Sequence, residues 1–316
     1  MARTVPNPKL QKQQHTHAFL AIVLPLLATG VAIAMAIYVR PVPSAVLWIA
    51  LGMYVLVGLG TAIGTHRHFT HGAFRAPVPV RVVLMILGSM AGQGPVLFWV
   101  ALHRMHHELA DREGDPHSPN LHGTSFTQRL RGIWHAWYGW TVRHEVPNTT
   151  FYARDLLRDP LLMKVNNAYF LWVALGFLIP AALSGMVLGS WLGALEGALW
   201  GGAVRMVAGH NAIYVITCIV HVFGSRDFEC RDQSRNNGWF ALYTLGESWH
   251  NNHHAFPRAA SLRMKWWQID ISGMVIQAME KLGWASDVWA PSAEEMEARL
   301  RRPPGRTHNN PSRSSN

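Results

Sequence analysis

The chain has 316 residues, with 28 Lys and Arg against 18 Asp and Glu for a formal net charge of +10. Its apolar residues gather in uncharged blocks as long as a bilayer is thick, which argues against two soluble domains and for one membrane-embedded domain. The positive balance does not indicate nucleic acid, since no basic stripe interleaved with aromatics runs through a soluble fold; anionic lipid head groups and acidic substrates suit it better.

The first 17 residues are polar, and the apolar run behind them is too long for the core of a cleavable signal. Residues 18–38 and 44–65 carry no charge, and each is long enough to cross roughly 30 Å of hydrocarbon at about 1.5 Å per residue. Within the second, Gly60-x3-Gly64 predicts close helix packing. The GxGxxxG spacing of Gly58, Gly60 and Gly64 inside a span excludes a dinucleotide fingerprint. Residues 82–100 are apolar but broken by Gly88, Gly92, Gly94 and Pro95. We read them as a helix buried against the protein or lying in the interface, because a full span would separate the histidine clusters described below.

The block from residue 165 turns near 185–191 into two further spans, 168–188 and 191–210. Glu196 and Arg205 of the last one belong near its ends or inside the bundle. The fold class is therefore all-α: a polytopic membrane protein of about four transmembrane helices with a helical cap. Residues 1–17 form a polar N-terminal segment, 18–298 the embedded domain and 299–316 a disordered basic tail. Four spans put both termini and the cap on one face, and the excess of Lys and Arg there makes that face cytosolic. Two cysteines, Cys218 and Cys230, fit a reducing compartment and exclude a thiolate zinc site.

Eight of the 18 histidines fall in three short runs: His66-x4-His71, His103-x2-His106-His107 and His250-x2-His253-His254. Positions i, i+3 and i+4 share one helix face, so the second and third runs can each point three imidazoles at the same pair of metal ions. His66 and His71 lie about 140° apart on a regular helix and need a helix end or a distorted turn to converge. Eight neutral nitrogen donors are too many for one tetrahedral zinc and suit two metals of higher coordination, naturally two irons that take up O2. A merely polar helix face does not explain three such runs on one side of a membrane domain.

Asp111, Glu113, Asp115 and Glu247 lie within a turn or two of the clusters, where a carboxylate can accept the outer imidazole N–H. His117, His135 and His210 are further candidates for such outer positions. His15, His17, His122, His144 and His308 read as solvent-facing or packing residues.

Segments 64–71 (GTHRHFTH), 99–119 (HRMHH followed by GDPHSP), 155–160 (DLLRDP) and 246–257 (GESWHNNHHAFP) resemble the membrane fatty acid desaturases. The resemblance is to the acyl-CoA (stearoyl-CoA, delta-9) branch and its bacterial relatives, and covers about residues 45–290. It implies a di-iron site completed by a ninth histidine, His221 in the segment HVFG, which by itself reads as a histidine at the membrane edge. Where the family carries an asparagine reaching one metal through water, this chain has Thr217. Its usual His-x-His is here His135-Ala136-Trp137.

The activity implied is oxygen-dependent insertion of a cis double bond, at delta-9, into a saturated acyl-CoA. O2 is reduced to two waters, with two electrons from the substrate and two from a separate donor, either a ferredoxin or flavin reductase system or cytochrome b5. Trp99, Trp140 and Trp249 are candidates for lining the acyl tunnel. A di-iron hydroxylase or alkane-type monooxygenase is the alternative within the same chemistry. A histidine-rich metal transporter is the alternative from another class, although the first two spans lack the ionisable residues it needs.

Overall fold

The computed structural model describes residues 2–143 and 145–301. His144, His308 and the greater part of the expected tail, 302–316, lie outside the described residues. The described residues are mostly helical, and among them four helices are long and apolar enough to cross a membrane: α1 (Pro8–Tyr38), α2 (Ser44–Thr70), α5 (Tyr169–Leu188) and α6 (Trp191–His221). Between α2 and α5 lie α3 (Val78–Ser89) and α4 (Val96–Leu109). After α6 come the short α7 (His250–Ala255) and α8 (Ile271–Lys281).

Three of the spans extend beyond the apolar blocks. Asn7 caps α1, its side chain accepting from the Lys9 N–H, and Pro8 sits at the first helical position. The polar residues to His17 therefore continue the span as helix. Ahead of them β1 (Thr4–Val5) pairs antiparallel with β2 (Val146–Pro147), so the N-terminal segment is pinned to the cap. At the other end a helix over Ala293–Arg299 leads into the Arg299 carbonyl accepting from Glu229 N–H, and Arg301 N–H donates to Asp227. Residues 299–301, the start of the expected tail, are thus paired to the cap.

Leu27, Ile37, Trp48 and Trp191 point outward from the spans, as a hydrocarbon surround requires. The charges in α6 are both accounted for. Glu196 pairs with Arg40 from the connector between α1 and α2. Arg205 is buried and donates to the carbonyls of Gly201, Met90 and Gly176 at 3.1, 2.9 and 2.9 Å, tying α6 to α5 and to the end of α3.

Residues 82–100 do not cross. They form the end of α3, a turn with Gly92 and Gly94 at φ of 72° and 105°, and the start of α4. The Gly60-x3-Gly64 face meets α3: a Cβ on Gly60 would stand 2.4 Å from Leu87 Cβ, and one on Gly64 2.9 Å from Leu84 Cβ. This contact seats α4 beside the upper end of α2, over a core of Phe69, Met85, Val100, Met105 and Leu162.

Candidate metal centre

From Gly60 to Thr70 the helix α2 widens into a π-helix, whose bonds run from i to i+5. His71 N–H accordingly donates to the His66 carbonyl at 3.3 Å. This distortion turns positions five apart onto one face, which is what the first histidine run required. The second run sits on the last turns of α4 and the third on α7.

The three runs interleave into two groups. His66, His71, His103, His107 and His253 form one, and His106, His221, His250 and His254 the other, with the candidate ligand atoms of each group within 4.8 Å of one another. In the first, Nε2 of His253 lies 3.0 Å from that of His66 and 2.8 Å from that of His107, which lies 3.0 Å from that of His103. In the second, Nε2 of His250 lies 3.1 Å from that of His221 and 3.0 Å from that of His254. Metal–imidazole bonds of about 2.1 Å at right angles would separate adjacent nitrogens by about 3.0 Å.

The tautomers argue the same way. Four histidines give their Nδ1–H to carboxylates: His66 to Glu247 at 2.5 Å, His106 to Asp115 at 3.0 Å, His221 to Asp111 at 2.9 Å and His254 to Asp232 at 2.9 Å. As neutral rings they present lone pairs at Nε2. His250 Nε2 thus faces two lone pairs and can offer one proton at most, while Nε2 of His71 and of His106 is buried with no hydrogen-bond partner among the described residues. Convergent, unsatisfied lone pairs fit cations at both centres.

Electrostatics agree. Burial first, and then one another's charge, hold His71, His103, His107, His250 and His253 well below the usual imidazole range, so they are neutral donors. Burial opposes the charged carboxylates, yet their histidine partners prevail: Glu247, between His66 and Arg67, is lowered to about 2, and Asp111, Asp115 and Asp232 fall below the usual carboxylate range. Arg67, 1% exposed, donates to both Glu247 and Asp270. Five carboxylates against that guanidinium leave four negative charges, the charge of two divalent cations.

Most of the residues singled out from the sequence meet here, and some do not. Asp111, with φ of 57°, reverses the chain so that it and Asp115 point inward. Glu113 between them is exposed and holds no histidine. His117 packs against His106 with ring centroids 4.3 Å apart, whereas His135 Nε2 lies 3.1 Å from the Pro116 carbonyl. Thr217 belongs to neither group, and its hydroxyl donates to the Ala136 carbonyl at 3.2 Å. Asp232 and Arg67 were not anticipated. Asp232 sits 22 residues before its histidine with no local signal, whereas Arg67, charged and flanked by His66 and His68, is the place to look for a buried ion pair.

An apolar tunnel passes the histidines. One limb runs between α2 and α6, past Tyr54, Gly58, Ala62, Ala212 and Ile216. The other opens toward α1, past His17, Ala21, Phe98, Leu102 and His210. They share Gln93, Trp99, His103, His117, Ile213 and Thr217, which form the bend. Trp99 stands there with its indole N–H on Gln93 Oε1 at 3.1 Å, and Trp140 lines the second limb. Trp249 does not line the tunnel. It is 3% exposed, donates to the Ile269 carbonyl at 2.8 Å and packs on Trp267, holding α7 in the cap.

A four-span helical protein with this histidine centre between two apolar limbs has the make-up of a membrane oxidoreductase of lipid chains. The chain belongs to the fatty acid desaturase family, whose sequence model matches residues 42–271. It is 46% identical over 300 residues to the hex-5-enoyl-[acyl-carrier protein] acetylenase of Moorena producens (strain JHB), covering 94% of this chain and 93% of the relative. It is 33% identical over 258 residues to the sn-1 stearoyl-lipid 9-desaturase of Anabaena variabilis (78% and 86% covered). Delta-9 acyl-lipid desaturase 1 of Arabidopsis thaliana is 34% identical over 248 residues (78% and 76%).

Proposed function

We propose that this desaturase is an oxygen-dependent di-iron enzyme that places a cis double bond inside a long saturated acyl chain, with delta-9 of an acyl-CoA as the substrate that the resemblance of its motifs suggests. The observation that carries this reading is the tunnel's continuation on both sides of the two histidine groups. From His66 to Tyr54 the methyl-side limb follows twelve residues of α2, roughly 18 Å at helical rise. A chain threaded past the bend has hydrocarbon on either side of the reacting carbons, so an internal bond is oxidised.

Iron held here would supply the oxidising chemistry by which two adjacent methylenes lose one hydrogen each, O2 taking up those two hydrogens, two external electrons and two protons to give two waters. His66, His71, His103, His107 and His253 would hold one iron, and His106, His221, His250 and His254 the other. Asp111, Asp115, Asp232 and Glu247 keep protons on the four Nδ1 atoms and so keep those Nε2 lone pairs directed inward. The bend at Trp99 and Gln93 fixes which carbons lie at the centre, since nothing in a polymethylene chain marks one bond from the next. Thr217, on the bend, is a place for a water beside the second group. The active face and both termini are cytosolic, and the electrons come from a separate ferredoxin, flavin reductase or cytochrome b5 system.

A second reading follows from the relative at 46% identity: dehydrogenation of an already unsaturated acyl chain on an acyl carrier protein, giving a triple bond. Purified enzyme, reductant and oxygen-18 gas separate the outcomes. Stearoyl-CoA yielding oleoyl chains without label supports the proposal, and a labelled alcohol identifies a hydroxylase instead. Turnover confined to unsaturated carrier-protein thioesters would replace it with the second reading.

A further inference from the structure

Helices α3 and α4 go down into the bundle and come back, and the tip of that hairpin meets a buried charge that the metal centre does not use. α3 runs antiparallel to α2, with Leu84 lying against Gly64 and Leu87 against Gly60. Met90 and Ala91, just past its end, pack with Met53 and Val57. These lie thirteen and nine residues before His66, roughly 20 and 14 Å from it along α2. The tip, residues 90–95, is therefore at the depth of the hydrocarbon, where the carbonyls at the end of α3 meet no water. From there α4 climbs back to the histidines. Trp99 packs on the rings of His103 and His66, with centroids 5.0 and 6.0 Å away, and its indole N–H donates to Gln93 Oε1. The bend of the tunnel is thus built on the tip.

Arg205 of α6 holds that tip. Its Nη1 donates to the Met90 carbonyl and its Nη2 to the Gly176 carbonyl of α5, each at 2.9 Å, while Nε donates to the Gly201 carbonyl at 3.1 Å. It is 3% exposed, and these partners are carbonyls rather than a carboxylate. A cation kept at this depth is costly and marks function by default. Two glycines make room for the contact: a Cβ on Gly176 would stand 2.8 Å from Arg205 Nη2, and one on Gly92 2.8 Å from Met206 Cε. Beyond Gln93, the Gly94 N–H donates to the Tyr169 hydroxyl of α5 at 3.0 Å. Gln93 is therefore fastened on both sides, by α6 before it and by α5 after it. Arg205 also lines the methyl-side limb together with Ala91 and Gln93.

We propose that Arg205 is a positioning residue for regiochemistry: through the Met90 carbonyl it fixes the height of Gln93 and Trp99 along the tunnel, and so which two carbons lie at the histidine groups. This rests on the fatty-acyl reading of the tunnel. Successive methylenes stand only about 1 Å apart along an acyl chain, and a misplacement of that size costs about 100-fold in rate. Slack of the same size at the tip is enough to bring a neighbouring bond to the centre. The tether acts on the carbonyl three residues before Gln93, which is where such slack would enter.

The test uses purified full-length protein in lipid nanodiscs. Arg205→Met keeps an unbranched apolar stem but donates nothing, and Arg205→Lys has an ammonium that still reaches carbonyls. Stearoyl chains are offered both as the CoA thioester and in a glycerolipid, with reductant and O2, and double-bond positions are read by mass spectrometry. The wild type is expected to give one position, with neighbouring positions at about 1%. Arg205→Met is expected to raise those neighbours about tenfold at unchanged iron content, and Arg205→Lys, the milder change, by a smaller factor. Hydrogen–deuterium exchange of the metal-free protein adds a readout without turnover: amides of residues 90–95 should exchange faster in Arg205→Met, with those of α7 unchanged. A variant with a lowered denaturation midpoint but wild-type double-bond positions would show a merely structural tie and overturn the proposal, as would unaltered exchange at the tip. A wild type that yields no unsaturated product takes down the fatty-acyl reading and the proposal together, whereas positions retained in both variants take down the proposal alone.

Discussion

Replacing Asp232 by Asn isolates what an outer carboxylate does for one metal. Asp232 Oδ2 accepts the His254 Nδ1–H at 2.9 Å, and Oδ1 accepts the Ser234 N–H at 2.8 Å. Both oxygens are therefore acceptors facing donors. An asparagine has a single oxygen, so its NH2 must face either Ser234 N–H or the imidazole. In the second case His254 takes the opposite tautomer, and its proton occupies Nε2, the atom 3.0 Å from His250 Nε2 on the metal side. Loss of such an outer partner lowers metal affinity about 10- to 100-fold, which corresponds to roughly 1.4–2.7 kcal/mol. The assay is iron content by plasma mass spectrometry after dialysis against a graded chelator, beside the wild type. We expect one iron per chain to leave at 10- to 100-fold lower chelator activity and the other to stay. Equal retention of both irons in Asp232→Asn would refute the reasoning, because the tautomer argument then fails at the residue where it is most constrained.

Removing the Arg67 side chain in Arg67→Ala leaves Glu247 and Asp270 buried and unpaired; a loss of about 3–5 kcal/mol should appear as a lowered denaturation midpoint in detergent even for metal-free protein. His106→Ala removes a candidate ligand of the second group and the partner of Asp115; purified protein should hold close to one iron and form no product, and retained turnover would show the ligand assignment to be wrong. Ala62→Phe puts a ring into the methyl-side limb; gas chromatography of products should show a shift toward shorter acyl chains with iron content unchanged.

Much of this architecture was legible because bilayer thickness and helix periodicity leave strong marks. Three of the four spans stand where uncharged blocks of sufficient length lie and the fourth in an apolar block broken by Glu196 and Arg205, and both HxxHH runs converge as i, i+3, i+4 geometry requires. The need for a distorted turn between His66 and His71 was readable, but its solution as a π-helix over Gly60–Thr70 was not, since local spacing does not distinguish it from a helix end. Local spacing misled at Glu113, because the positive φ at Asp111 reverses the chain and faces Glu113 outward. It also misled at Trp249: proximity in sequence to His250 says nothing about which side of a short helix faces the tunnel. Asp232 was invisible because its bond to His254 is made by the fold of the cap. The N-terminal segment read only as polar, and it is the long-range pairing of Thr4–Val5 with Val146–Pro147 that shows it to be fastened.

The most direct test of the central claim is the fatty-acid profile, by gas chromatography with mass spectrometry, of a desaturase-deficient host producing this chain with an electron donor, beside the His253→Ala variant. His253 Nε2 stands between those of His66 and His107 in the first group, so its loss should remove one metal without touching the tunnel. The account predicts a new monounsaturated acid with an internal double bond that is absent with the variant. The same acid persisting in His253→Ala, or an oxygenated lipid in place of an unsaturated one, would contradict it.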